Sequence, residues 1–278
     1  MTEYDVIIVG AGPAGASAAL ASASRNLKTL VVEKRKIPRQ KACSGILVPA
    51  SLTLVKNNFG DLPDEVFSHP KELQAMRVHF PGGRVMDATI GGSMIWRDRF
   101  DSWLCRKAGA EIRDGTTLED FVEKADGVEL LCREYCGGKL PIRCRALIAA
   151  DGGPSSVARL LEPALEKRLP WYLALQDTYE CRCTLEPGLF HFFAHPEISP
   201  YLSAYVKDEF LVMDVVVPLG RRAKETMESF REFLWPQAGV EKAPLFRRLG
   251  CRVTYAAPKG AFCFGTDRVL VAGEASGC

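Results

Sequence analysis

The sequence predicts an α/β fold, and two observations carry this prediction. Residues 6–9 and 29–33 have the apolar composition of buried parallel strands, and they flank a glycine turn and an Ala-rich helix expected over 14–24. Later in the chain, β-favouring stretches favour a second, mostly antiparallel sheet. These stretches cover residues 171–185, 189–194, 202–207 and 210–217.

The opening strand–helix–strand unit has the residues of a dinucleotide-binding turn. Gly10 makes the tight turn after the first strand, and Gly12 has no Cβ to block a pyrophosphate. Gly15 allows the helix to pack closely against the strand, and the N–H groups at the helix start face the phosphates. Glu33 ends the second strand, where its carboxylate accepts hydrogen bonds from ribose hydroxyls. The residues of the turn itself are Gly10, Gly12, Pro13 and Ala14.

Composition and charge narrow the classes of partner. A length of 278 residues is enough for one large domain or two ordinary ones, and a hydrophobic content of 47% is enough to build their cores. Because 36 basic residues nearly balance 34 acidic ones and the net charge is +2, nucleic acid is not expected as a partner. No apolar run reaches the roughly 20 residues of a membrane span, so no transmembrane segment is expected. Peripheral membrane contact is left open.

The ten cysteines are expected to be reduced thiols. They are dispersed in a chain large enough to fold without disulfides, and the first strand begins almost at the first residue, so no leader is expected and the cytoplasm is the expected location. Cys181 and Cys183 lack the spacing of a zinc site, and no metal is expected. Three histidines have no acidic or nucleophilic residue at a spacing that would indicate a catalytic site, and they are interpreted as structural or surface residues. They are His79, His191 and His195.

Two further turns have the composition of ligand contacts. Asp151 and Gly152 follow a buried strand of small residues and precede a serine that is able to cap a helix. Gly273 and Glu274 follow an apolar strand expected over 268–272. The chain thus repeats an acid and glycine turn near its far end.

Other segments have clear local signals. A basic loop that contains Cys43 is expected over 34–49; it either is simply solvated or attracts a phosphorylated ligand. A helix is expected from Arg97 to Gly109, with Asp98 as its N-cap and Asp101 at the third position. A strand is expected at 111–113, an antiparallel meander over 118–150 and a helix over 223–234.

Taken in order, these motifs resemble those of FAD-dependent oxidoreductases of the p-hydroxybenzoate hydroxylase-like fold, and among them the geranylgeranyl reductase family. The segments that carry the resemblance are the opening fingerprint, Pro38-Arg-Gln-Lys-Ala-Cys43-Ser-Gly45, Arg97-x-x-Phe100-Asp101-x-x-Leu104, Ala150-Asp151-Gly152 and Gly273-Glu274-Ala275. The resemblance implies a Rossmann-type FAD-binding domain with an antiparallel β-sheet substrate domain inserted. The expected FAD-binding domain covers 1–65, 96–160 and 260–278, and the substrate domain covers 66–95 and 161–259.

The resemblance also implies site residues. In the family, Cys43 belongs to a loop that lies against the isoalloxazine, so it is the expected catalytic residue, tuning the ring or assisting proton delivery. Where the family has a Tyr-x-Trp-x-Phe-Pro strand facing an isoprenoid cavity, this chain has Tyr201 and Tyr205, which are expected to bind substrate. The expected FAD contacts are Gly10, Gly12, Pro13, Ala14, Glu33, Lys34, Cys43, Ser44, Gly45, Arg97, Leu118, Asp151, Gly152, Gly273 and Glu274.

The implied activity is hydride transfer from reduced FAD to an unsaturated hydrophobic substrate, an isoprenoid lipid in the family, with electrons from NAD(P)H or a ferredoxin-type donor. Two alternatives stay open: an FAD-dependent monooxygenase or halogenase, and a degenerate, non-catalytic flavin-binding module. Glu274, in place of the usual Asp, and the altered Tyr201 strand favour the module. Family members continue past the last motif with a helix, so a chain that ended at Cys278 is expected to bind flavin more weakly. NAD as the sole dinucleotide is disfavoured, because simple dehydrogenases do not repeat the turn at Gly273.

Overall fold

The computed structural model describes residues 2–255 and 258–277, and the chain forms two compact units. Unit 1 comprises Met1–Arg39, Phe100–Pro170 and Thr254–Cys278, and unit 2 comprises Gln40–Arg99 and Trp171–Val253. Residues 40–65 and 96–99 fall in unit 2, whereas the sequence expectation assigned them to the FAD-binding domain. The expected boundaries of the FAD-binding and substrate domains differ from these two units and stay a prediction. The expected first and last domain residues, Met1 and Cys278, lie outside the described residues.

The described residues form α1 (Pro13–Ala23), α2 (Pro49–Phe59), α3 (Arg97–Lys107), α4 (Ser156–Leu161), α5 (Leu165–Arg168) and α6 (Ala223–Gln237). The strands are β1 (Thr2–Val9), β2 (Thr29–Glu33), β3 (Ile46–Leu47), β4 (Phe67–Glu72), β5 (Ala75–His79), β6 (Val85–Thr89), β7 (Ser93–Ile95), β8 (Glu111–Asp114), β9 (Thr116–Lys124), β10 (Gly127–Glu134), β11 (Lys139–Ala149), β12 (Trp171–Glu180), β13 (Leu189–His195), β14 (Ser199–Lys207), β15 (Phe210–Pro218), β16 (Leu245–Thr254) and β17 (Val269–Val271). In the described part of the chain, no helix combines the length and apolar character needed to cross a bilayer.

Unit 1 is built on a sheet of order β8-β2-β1-β11-β10-β9, with β17 paired to β11. β1 runs parallel to both β2 and β11, and β8 runs parallel to β2, whereas β9, β10 and β11 form an antiparallel meander. The predicted βαβ unit, the strand at 111–113 and the meander are confirmed. Val6, Ile8 and Val31 pack with Ala19 of α1, because the apolar strands and the small helix residues match at that face.

Unit 2 is built on a mostly antiparallel sheet of order β16-β12-β15-β14-β13-β5-β6, and a small sheet of order β3-β7-β4 accompanies it. The predicted antiparallel layer and the helix over 223–234 are confirmed. The first expected strand ends at Glu180 rather than at 185. α2 and β16 were not predicted: α2 begins at Pro49, where the composition indicated a loop, and the charged residues of β16 hide any apolar alternation.

The two faces of the large sheet in unit 2 differ in chemistry. Leu202 and Ala204 of β14 pack with the apolar side of α6 in the main core. Because side chains alternate along a strand, Ser203, Tyr205 and Lys207 lie on the opposite face. All three are buried, so this second face is a buried polar surface within unit 2.

Candidate functional site

Around the turn between β1 and α1, two positions are packed so tightly that only glycine fits there. Gly10 has a φ of +104°, and a Cβ there would lie 2.3 Å from the carbonyl oxygen of Ala150. A Cβ at Gly15 would lie 1.9 Å from the carbonyl oxygen of Gly10. As the sequence predicts, these glycines allow the close approach of helix and strands.

The start of α1 has the chemistry of an anion site. Gly12 is the N-cap, no side chain caps the helix there, and Pro13 occupies the first turn. A Cβ at Gly12 would lie 3.3 Å from Nη2 of Arg39, so the guanidinium lies beside the helix start. The positive end of the helix and this cation together suit a pyrophosphate.

Glu33, Arg39 and Asp101 form a buried charged triad in unit 1. Glu33 Oε2 accepts a hydrogen bond from Ala11 N at 3.0 Å and lies 3.1 Å from Arg39 Nε, an ion pair without hydrogen-bond geometry. Arg39 Nη2 lies 3.2 Å from Asp101 Oδ2. The expected capping role of Asp98 and Asp101 needs correction: α3 already begins at Arg97, and the carboxylate of Asp101 is buried beside Arg39.

Two distant segments meet the start of α1 in unit 1. Gly10 abuts Ala150, which precedes the Asp151–Gly152 turn, and a Cβ at Gly273 would lie 2.8 Å from Ala14 Cβ. Asp151 Oδ2 accepts hydrogen bonds from the backbone N and the Oγ of Ser156, each at 2.7 Å, so Asp151 supports the start of α4. Its buried Oδ1 has no hydrogen-bond partner among the described residues. A ligand donor would satisfy this oxygen.

The remaining expected residues of unit 1 are more dispersed. Lys34 is exposed directly after β2, and Leu118 is buried in β9 opposite Cys132. Glu274 is half-buried in the short 3₁₀ turn Gly273–Ser276. The glycines, the orphaned Asp151 oxygen and the donors at α1 fit a bound dinucleotide, so the residues present fit FAD.

In unit 2, Cys43, Ser44 and Gly45 form a loop, here called the Cys43 loop, that precedes β3. The Cys43 thiol is exposed, and Gly45 N donates to its Sγ at 3.4 Å. Arg97 is half-buried at the first residue of α3. An exposed thiol that carries a backbone hydrogen bond is available to react.

A buried polar cluster lies beside the Cys43 loop within unit 2. Lys207, which is 1% exposed, donates to Ile95 O at 2.8 Å and to Ser44 O. Gln176 Nε2 contacts Cys43 O at 3.1 Å and Asp214 Oδ1 at 2.8 Å. Burial lowers the pKa of Lys207 to about 8 and raises that of Asp214.

The two tyrosines expected to bind substrate have different environments. Tyr201 is half-buried, with its ring edge-on to Phe192 at a centroid distance of 5.2 Å. Tyr205 is fully buried and stacks on Phe190 at 5.1 Å, and its hydroxyl contacts Gln176 at 3.1 Å. Substrate binding by the two tyrosines stays a prediction, and the β14 register buries the ring of Tyr205 in this structure.

Sequence reasoning missed Lys207, Gln176 and Asp214 as site residues. A signal was present in β15, where Asp214 is a lone acid inside the apolar run Phe210–Pro218. A buried acid needs partners, but their identity depends on strand order.

Three of the four histidines, His79, His191 and His195, lie elsewhere in unit 2. His79 Nε2 and His191 Nδ1 are 3.0 Å apart, and burial lowers the pKa of His191 to about 4. His79 and His195 also line a cavity of about 400 Å³ with Phe193 and Phe233. In the described part of the chain, no three His, Cys, Asp or Glu side chains are placed to hold a metal.

Comparisons with known proteins agree with this geometry. Residues 3–173 match the family model described as the FAD binding domain. The chain is 27% identical to a digeranylgeranylglycerophospholipid reductase from Methanocaldococcus jannaschii, over 99% of this chain and 70% of that protein. It is 26% identical to a geranylgeranyl diphosphate reductase from Rhodobacter capsulatus, over 99% of this chain and 69% of that protein.

A solved structure shares the fold. A geranylgeranyl bacteriochlorophyll reductase-like protein from Thermoplasma acidophilum matches with a TM-score of 0.83 and 22% identity, over 99% of this chain and 72% of that one. The predicted Rossmann-type fold, the FAD cofactor and the resemblance to geranylgeranyl reductases are confirmed, and the protein is an FAD-dependent oxidoreductase that is similar to these reductases. Since the match to the family model covers more than half of the sequence, this chain belongs to the FAD binding domain family.

Proposed function

We propose that this oxidoreductase reduces carbon–carbon double bonds of an unsaturated isoprenoid lipid. The observation that carries the proposal is the convergence of the Gly10, Ala150 and Gly273 segments at the start of α1, beside Glu33 and Arg39. The substrate class is supported by the names of two relatives that match 99% of the chain. When bound and reduced by NAD(P)H or a ferredoxin-type donor, FAD would supply the hydride for such a reduction.

In this proposal, each part of unit 1 has one role toward FAD. The N–H groups at the start of α1, with Arg39, bind the pyrophosphate, and Glu33 accepts hydrogen bonds from ribose hydroxyls. Asp151 Oδ1 accepts a hydrogen bond from the bound cofactor. The other proposed contacts are Lys34, Ser44, Gly45, Arg97, Leu118, Gly152 and Glu274.

Cys43 is the proposed source of the proton. Addition of hydride to one carbon of a double bond leaves the other carbon in need of a proton. The Cys43 thiol donates this proton and then recovers one from solvent, which its exposure allows. The half-buried rings of Tyr201 and Phe192 offer apolar surface for the lipid chain. Peripheral contact with a membrane stays a prediction.

The proposal is tested by measuring the products of the protein purified with its flavin. The protein is reduced with dithionite under anaerobic conditions and mixed with digeranylgeranylglycerophospholipid. Mass spectrometry is expected to show products that have gained two hydrogen atoms per reduced double bond. Cys43→Ala is expected to lower kcat about 100-fold, within the range attributed to one acid–base group, and to keep the flavin spectrum.

Two results would contradict the proposal. One is oxygen consumption coupled to nicotinamide oxidation with an oxygenated or halogenated product, which would indicate a monooxygenase or halogenase. The other is an unchanged lipid although the flavin is bound and reducible. A matched control is Cys136→Ala, which removes the thiol of the exposed Cys136 at the β10–β11 turn and is expected to leave kcat unchanged.

A further inference from the structure

Within unit 2, the carbonyl oxygens of all three residues of the Cys43 loop are bound by groups from the sheets beneath it. Gln176 Nε2 donates to Cys43 O at 3.1 Å, and Lys207 Nζ donates to Ser44 O. Ile95 N donates to Gly45 O at 2.8 Å. The loop therefore has a defined backbone path although its thiol is exposed.

The groups that hold the loop are themselves held by strand pairing. Gln176 of β12 lies opposite Asp214 of β15, and Asp214 lies opposite Ser203 of β14. Ser203 Oγ donates to Asp214 Oδ2 at 3.3 Å, and Gln176 Nε2 donates to Asp214 Oδ1 at 2.8 Å. The Gln176 side chain is thus oriented by three adjacent strands.

Lys207 is held from several sides. Its Nζ lies 4.9 Å from the ring centroid of Trp96 and 5.5 Å from that of Tyr205, besides its bond to Ile95 O at 2.8 Å. A Cβ at Gly45, whose φ is +68°, would lie 2.7 Å from Nζ and 2.1 Å from Ile95 O. The loop backbone therefore lies directly against the amine, with no room for a side chain between them.

Lys207 is an unfavourable choice for stability alone. It is 1% exposed, and its burial is the main cause that lowers its pKa to about 8, against the favourable fields of Asp214 and Asp208. The bonds it makes to Ser44 O and Ile95 O use its polarity, whereas an apolar residue would avoid the desolvation. Buried ionisable groups with such shifts are candidates for a functional role.

We propose that Lys207 and Gln176 are positioning residues, which fix the backbone of the Cys43 loop and thereby aim the Cys43 thiol. The inference rests on the proposed function for the role of Cys43 but not for the order of the loop. Neither side chain needs to touch substrate. Their hydrogen bonds reach the loop through Ser44 O and Cys43 O.

The test compares Lys207→Met with wild type by amide hydrogen exchange of the peptide that covers the Cys43 loop and β3. Loss of one charge-assisted hydrogen bond is expected to speed exchange by at least about tenfold. Misplacement of the thiol is expected to lower kcat about 100-fold and to change KM by less than about threefold. FAD affinity is expected to fall much less than kcat, because the contacts proposed for the pyrophosphate and the ribose lie in unit 1.

Two controls separate positioning from general stability. Lys224→Met removes an exposed lysine of α6 and is expected to leave exchange and kcat unchanged. In wild type, the guanidinium of Arg248 donates to the carboxylate of the fully buried Asp177 at 2.7 and 2.6 Å. Arg248→Met removes this ion pair and is expected to lower the free energy of unfolding. Lys207→Met is expected to unfold no more easily than wild type at pH 7, because the loss of the buried charge offsets the lost bonds.

The inference is overturned if Lys207→Met keeps wild-type exchange in the Cys43 loop, or if its loss of kcat simply follows a loss of stability like that of Arg248→Met. Should Lys207→Met fail to fold, Gln176→Leu leaves the amine in place and is judged by the same exchange and kcat measurements. Exchange needs no substrate. A protein that reduces no isoprenoid but shows the exchange effect would contradict the proposed function and leave the positioning of the loop intact.

Discussion

The two units each hold a loop with buried charged groups, but by opposite means. In unit 1, Arg39 lies between two carboxylates, Glu33 and Asp101, at 3.1 and 3.2 Å. In unit 2, the cation of Lys207 is satisfied by the neutral carbonyls of Ser44 and Ile95. The difference teaches that removing a cation is most costly where it leaves buried carboxylates behind, whereas removing one that is bound by carbonyls leaves only neutral groups.

The largest effect is expected from Arg39→Met. This change leaves Glu33 and Asp101 buried without their cation, so the free energy of unfolding is expected to fall by about 3–5 kcal/mol, and FAD affinity falls with it. Denaturant unfolding and flavin titration measure both quantities. Arg25→Met, at an exposed arginine after α1, is the control. Equal stability of the two variants would show that the ion pairs of Arg39 with Glu33 and Asp101 do not stabilise unit 1.

The next effect concerns the pH dependence of stability. Because the folded pKa of Lys207 is about 8 and its ordinary value is 10.5, the unfolded state binds more protons between these pH values. The stability of wild type relative to Lys207→Met is therefore expected to rise with pH across this window, by about 3 kcal/mol in full. Unfolding at pH 7.5 and at about pH 9.5 measures roughly 2 kcal/mol of this rise, because most of the remainder lies above pH 9.5. A flat or falling difference would contradict the buried amine.

A smaller effect is expected from Gly45→Ala relative to Gly91→Ala. Both glycines have nearly the same φ, +68° and +66°, so the conformational strain is matched. At Gly45 the new Cβ would collide with Ile95 O at 2.1 Å, whereas at Gly91 the nearest atom is Cγ of Pro49 at 3.8 Å. Gly45→Ala is expected to be less stable by about 2 kcal/mol. Equal stabilities would mean that the loop does not lie against the amine.

The smallest effect is expected from Tyr205→Phe. Loss of its hydroxyl removes a contact with Gln176 at 3.1 Å and is expected to lower stability by about 1 kcal/mol. Exchange in the Cys43 loop is expected to rise, since Asp214, which orients Gln176, loses its hydrogen bond from Tyr205. Tyr179→Phe, which removes a bond to Asp177 at 2.9 Å, is expected to cost about the same and to leave the loop unchanged. Identical amide exchange of the Cys43 loop in both variants would show that the Tyr205 hydroxyl does not help to order this loop.

Much of unit 1 was predictable because its signals are local. The turn from Gly10 to Gly15 and the acid Glu33 lie within one βαβ unit, so periodicity and glycine spacing specify both fold and ligand. Asp101 was visible only as part of a motif, and its partner Arg39 was one of several basic residues in a loop. The contact between them arises from packing, which spacing does not encode.

The buried polar cluster of unit 2 depended on tertiary structure. Its members come from three strands and a loop, and Gln176 and Cys43 are separated by 133 positions. A shift of one residue in β12, β14 or β15 would turn the cluster member of that strand, respectively Gln176, Lys207 or Asp214, to the α6 face. Local pattern was therefore enough to specify a dinucleotide-binding crossover, since residues close together in the sequence form its glycine turn and its acidic end. Strand order and register alone decided which buried polar groups hold Cys43, because hydrogen bonds between distant segments exist only after the sheet has formed.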